Sequence, residues 1–311
     1  MTTEAPSARK RIFDLLYAGL LSERTKKRSE FVIVLVAIVG FGIHLLLIVL
    51  ADLHILHLDD YSQLLDNPIA AIYTPFSFIL IYEVYLLVYY LPRSISNYIG
   101  KQYEIITLIV IRRLYKDLSR LEFTADWFKV RDDLQFTYDL IATLLLFSLI
   151  LIFYRLNQKR AVVEEFRPQS PETKRFITLK KAIAMCLVPV FLVMAVYSLS
   201  HWVYENFFSI GQMVESIKDV NKIFFGEFFT VLILIDVLLL LISFLQTDKF
   251  SKVIRNSGFI VSTILIRLSF SIDGLLNTIL IVVAVLFGVA ILAIHNQFEK
   301  LPAAVKADLT Q

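Results

Sequence analysis

The chain has 311 residues, 57% of them hydrophobic, with a mean hydropathy of +0.69 and a formal charge of +3. Soluble domains run at roughly 45–50% apolar. A soluble bundle needs polar faces on its helices, and residues 31–43 and 275–294 have almost none, which argues against one.

Residues 1–30 form a basic N-terminal segment in which Ile12, Leu15, Leu16, Gly19 and Leu20 fall at helical spacing. The pattern predicts a short helix lying on a leaflet whose anionic lipids attract the flanking Lys and Arg. The first crossing, 31–51, carries His44 near its middle, a candidate proton relay. It leads into a loop where His54, His57 and Asp59 have the spacing of a weak metal-ligand candidate, short of a full ligand set. The second crossing, 69–91, brings Glu83 to mid-depth, and the short third, 98–114, ends in Arg112 and Arg113. An interfacial helix is expected over KDLSRLEFTADWFKVRDD, and the fourth crossing, 134–154, opens with Asp139, a second candidate relay.

Residues 157–180, with their P-Q-S-P-E-T core, read as a polar linker. The fifth crossing, 182–203, contains Pro189 and the single Cys186, which reads as a small apolar filler and excludes a disulfide framework. Asp236 lies in the sixth crossing, 223–245, and Arg267 in the seventh, 257–272. The eighth, 274–294, follows a tight turn at Asp273 and Gly274, and 297–311 is a polar tail.

A hydrocarbon core about 30 Å thick needs roughly 20 apolar residues per helix, and six of these segments meet that length. Of 31 Lys and Arg, 22 lie on one side of the eight-crossing arrangement and six on the other, with Arg112, Arg113 and Arg267 embedded. The positive-inside rule then places both termini in the cytoplasm.

The halves resemble each other. Glu83 precedes Arg113 by 30 residues, and Asp236 precedes Arg267 by 31. An acid opens or just precedes the last helix of each half, Asp139 and Asp273. The expected fold is therefore an all-α polytopic membrane bundle of eight transmembrane helices, built as two parallel four-helix repeats over 31–156 and 181–296.

A charge at a helix centre costs about 2.5–3.5 kcal/mol on insertion scales, so embedded charges should find each other. With Asp248 and Arg255 taken as the cytoplasmic boundary, Asp236 and Arg267 both lie about 18 Å deep. That predicts an ion pair between them, supported by Asp273, with Glu83 and Arg112 or Arg113 as its looser counterpart.

Asp236, Arg267 and Asp273, and more faintly Glu83 and Arg113, also resemble the charge pattern of the phosphate-starvation-inducible E (PsiE-like) family of four-helix membrane proteins. The likeness is clearest over 224–296, and the chain departs from the family by being doubled. The resemblance implies a stress-linked inner-membrane protein.

Walker, H-E-x-x-H, G-x-S-x-G and T-V-G-Y-G patterns are lacking, as is an arginine-every-third voltage sensor. No enzyme, cofactor or nucleic-acid partner is therefore expected. The partners expected are the bilayer, anionic lipids at the cytoplasmic face and a homo-oligomer. The expected function is a channel or transporter for protons or a small ion. The alternative is a non-transporting scaffold or stress-response protein acting through its basic face.

Overall fold

Local chemistry sets the helix ends. The computed structural model describes residues 8–53, 71–118, 131–164, 171–207, 220–244, 250–272 and 274–301. Among these every regular element is an α-helix: α1 (Ala8–Leu21), α2 (Glu23–Asp52), α3 (Tyr73–Tyr90), α4 (Ile95–Leu118), α5 (Arg131–Glu164), α6 (Pro171–Phe207), α7 (Val220–Phe244), α8 (Phe250–Ser269) and α9 (Leu275–Lys300).

Ser22 separates α1 from α2, its hydroxyl accepting from the Thr25 N–H at 3.2 Å, so α2 begins two turns before the expected crossing. Ile12, Leu15 and Leu16 of α1 are exposed. The linker over 157–180 is shorter than expected. Helix α5 runs past Asn157 through Gln158, Lys159, Arg160 and Ala161, good helix formers, to Glu164, and Pro171 starts α6, where its missing N–H is harmless. Gly274 caps α9 with φ +77°, a conformation that a side chain would strain.

Among the described residues four stretches are long and apolar enough to cross a membrane: Arg11–Asp52, Asp133–Gln158, Thr173–Tyr197 and Leu275–Lys300. Thr74–Tyr90 and Phe228–Phe244 are shorter apolar helices. Helices α4 and α8, expected as crossings three and seven, are amphipathic and bury polar residues.

The helices group into two compact units, each drawn from both halves of the sequence. One comprises Met1–Arg93 and Ile177–Gln212; the other comprises Ser94–Phe176 and Met213–Gln311. They cut across the segments 31–156 and 181–296, because α4 and α5 pack with α8 and α9.

In the first unit α3 packs along α2. Its tyrosines at helical spacing meet the end of α1 and the first turns of α2: Tyr85 donates to the Leu20 carbonyl of α1 at 2.9 Å, and Tyr82 and Tyr89 donate to Glu30 and Glu23 of α2 at 2.9 and 2.6 Å. Lys26 and Arg93 lie over the Tyr89 ring, and Lys181 over Tyr17. Tyrosine and basic groups mixed at a helix end are what a membrane interface accommodates. Cys186 is exposed halfway along Thr173–Tyr197. In intact membranes it should react with a permeant maleimide and resist a charged impermeant one; equal reaction with both would place it in water.

Candidate functional site

The second unit concentrates the buried polar chemistry. It carries three polar layers along its length, each joining different helices.

The first layer surrounds Asp139 on α5, which has no exposed surface. Arg113 on α4 makes a bidentate ion pair with it, through Nε to Oδ2 and through Nη2 to Oδ1 at 2.8 Å. Arg113 also donates to Asn277 Oδ1 at 2.6 Å and to Thr278 Oγ1 at 3.2 Å, both on α9. Gln135 Nε2 and Thr278 Oγ1 donate to Asp139 Oδ1 at 3.1 and 2.6 Å. Asn277 in turn donates to the Ser269 carbonyl at the end of α8, at 2.5 Å.

The expectation that could pair Arg113 with Glu83 is corrected here. Arg113 takes its carboxylate from Asp139, which hangs from the next helix of the same hairpin and reaches both guanidinium edges. Glu83 is buried in the first unit, and Arg112 is buried on α4.

The second layer is at mid-length. Tyr103 of α4, fully buried, meets Ser262 of α8 at 2.8 Å, and Ser262 donates to the Ala284 carbonyl of α9 at 2.6 Å. A carbonyl only accepts, so the serine proton is committed there and the Tyr103 hydroxyl is the donor to Ser262. Gly288 of α9 faces this pair. A Cβ built on it would lie 1.7 Å from the Tyr103 hydroxyl oxygen.

In the same region Asp236 of α7 is only 3% exposed and accepts from Gln102 Nε2 of α4 at 3.1 Å. The buried Tyr98 phenol lies within electrostatic reach of both. Beside Asp236 is a cavity of about 10 Å³, also edged by Gln102 and Thr263 and otherwise walled by apolar side chains including Phe229, Leu232 and Ile266. That is space for about one water.

The predicted pairing of Asp236 with Arg267 does not form. Arg267 donates to Thr230 Oγ1 at 3.2 Å and is partly exposed. The cause is the register of the hairpin. Residues 250–255, counted above as turn, are the first turns of α8. Arg267 therefore stands about 25 Å along α8, whereas Asp236 is only about 12 Å back from the end of α7. Arg267→Gln should cost less than about 1 kcal/mol, the value of one neutral hydrogen bond. Thermal unfolding in detergent checks this, and a loss of several kcal/mol would restore the ion pair.

The third layer joins α8 and α9 near their cytoplasmic-side ends in the expected topology. Arg255 Nη1 approaches His295 Nε2 at 3.4 Å, and His295 Nδ1 lies 3.0 Å from the Ser251 carbonyl. Neither a guanidinium accepts nor a carbonyl donates, so this geometry requires neutral His295 with its proton on Nδ1. Arg255 also donates to Asn256 Oδ1 at 2.8 and 3.1 Å, and Asn256 donates to Ser243 at 3.2 Å.

His44 sits in the first unit, its Nδ1 2.5 Å from Thr74 Oγ1. Asp273, His54, His57 and Asp59 lie outside the described residues. Among the described residues no group of three His, Cys, Asp or Glu is placed to hold a metal.

Sequence reasoning missed Gln102, Tyr103, Ser262, Asn277, Thr278 and His295. Their signal was weak but present. In α9 the signal is a buried face that repeats every three or four residues, Asn277, Thr278, Ile281, Ala284, Gly288 and His295.

Compared with protein-family models, curated proteins and solved structures, the chain matches none.

Proposed function

We propose that the chain is an integral membrane protein that moves protons or a small ion through its second unit, with Asp236 as the mid-depth carboxylate on the path. The observation that carries this reading is the placement of Asp236: buried, hydrogen-bonded by Gln102, and facing a cavity with space for one water. Intramembrane carboxylates are expensive, and those that face a cavity commonly serve as ion or proton sites. The polar faces of α8 and α9 extend this character towards both ends of the unit.

The topology we infer has eight crossings and cytoplasmic termini in the inner membrane, with two parallel repeats. Supporting the repeat, the hairpins α4–α5 and α8–α9 hold corresponding places in the two halves and pack together in one unit. In that scheme Arg113 and Asp139 correspond to Arg267 and Asp273. The basic and tyrosine-rich end of the first unit supports contact with anionic lipid on the cytoplasmic leaflet.

The alternative, a scaffold without transport, draws on the Asp139 layer. There both carboxylate oxygens are occupied and the bonding is that of a structural clamp. Flux measurements in proteoliposomes across protons, Na⁺, K⁺ and Cl⁻ separate the two. Some flux that Asp236→Asn lowers by about a hundredfold is expected, the scale of a positioned proton-transfer group. A correctly folded protein with no Asp236-dependent flux favours the scaffold.

A further inference from the structure

The chemistry around Asp236 narrows the ion. We infer that the species carried past Asp236 is a proton and not a metal cation, an inference that rests on the translocation reading above.

A dehydrated metal cation needs a shell of oxygens. Calcium takes six to eight and magnesium an octahedron, and alkali-metal filters use rings of carbonyls. The cavity edge offers the Asp236 carboxylate and the Thr263 hydroxyl. Gln102 turns its amide nitrogen, a donor, towards the carboxylate, so this partner of the acid repels a cation. The Thr263 hydroxyl spends its proton on the Ile260 carbonyl at 2.9 Å, and the other wall residues among those described, Ile106, Phe229, Leu232, Ile233 and Ile266, are hydrocarbon. At about 10 Å³ the space admits about one water, not a cation together with the waters that would complete its shell.

A proton needs none of this. The cavity water delivers H⁺ to the Asp236 carboxylate, giving a neutral carboxylic acid. The reverse step returns the same proton to water, leaving the carboxylate. The Gln102 amide stays on Oδ2 throughout and keeps the acid oriented. Neutralisation by protonation also relieves the burial of charge, which bound metal could do only with more ligands.

The test uses the full chain in proteoliposomes, with a trapped pH-sensitive dye in one arm and Na⁺- or K⁺-sensitive dyes in the others. Proton flux should persist when N-methyl-D-glucamine is the only other cation. It should fall about a hundredfold in Asp236→Asn and return within several-fold in Asp236→Glu, both monodisperse on size exclusion. Na⁺ or K⁺ flux that depends on Asp236, with no proton flux, would overturn the inference while leaving the translocation reading intact. Absence of any Asp236-dependent flux would overturn both.

Discussion

Replacing Gly288 by alanine is expected to lower the unfolding midpoint of the purified protein by roughly 10 °C, or about 3 kcal/mol. The added methyl would sit 1.7 Å from the Tyr103 hydroxyl oxygen, 2.8 Å from Cζ of its ring and 3.2 Å from Ser262 Oγ. Tyr103 has little room to retreat, because Phe153 packs edge-on against it with ring centroids 5.3 Å apart, and Phe259 packs on Phe153. Relief would require α9 to move away from α4, breaking the bonds from Tyr103 to Ser262 and from Ser262 to the Ala284 carbonyl. Each buried bond left unmade adds about 1–3 kcal/mol. Tyr103→Leu shortens the opposing side chain and should absorb the alanine. The double variant should therefore be no less stable than Tyr103→Leu alone. A stable Gly288→Ala, or simple additivity in the pair, would show that the helices approach less closely there.

The second large effect concerns Asp139. Asp139→Ala should destabilise the protein by about 3–5 kcal/mol, because it leaves the Arg113 guanidinium in a low-dielectric site without its bidentate carboxylate. Arg113→Met should be damaging too, since the carboxylate has no exposed surface, although Gln135 and Thr278 still donate to it. Replacing both, as Arg113→Met with Asp139→Leu, removes the desolvated charges together and should cost less than either single change. Fluorescence-monitored thermal unfolding of the four proteins in one detergent gives the cycle. Independent, additive losses would mean that the two groups do not act as a pair. A bonded clamp at this end and a cavity-facing acid in the middle are different uses of a buried carboxylate. Asp139 has two oxygens held by a cation and two neutral donors, whereas Asp236 accepts from the Gln102 amide and borders a space for about one water.

The comparison between Asp236 and Arg267 shows how far residue counting reaches. Both were legible as embedded charges, and so was their place on neighbouring helices. Their depths were not. Counting from an assumed turn misjudged where α8 begins by about five residues and where α7 ends by about four, which together offset the two charges by about 13 Å along the helices. Arg113 was likewise visible as a charge needing a partner. Its partner, Asp139, was noted only as the acid that opens the next helix, because spacing along the chain does not report which faces of a hairpin meet.

Composition, hydropathy and the arginine and lysine asymmetry by themselves determined that this chain is helical and made of segments apolar enough to span a membrane, since those properties are sums over local residues. Which charge meets which, which helices share a unit, and that Gly288 leaves space for Tyr103 were decided only by the tertiary structure. Helix register and rotation arise from side chains far apart in sequence interlocking at once, and no single stretch carries that information.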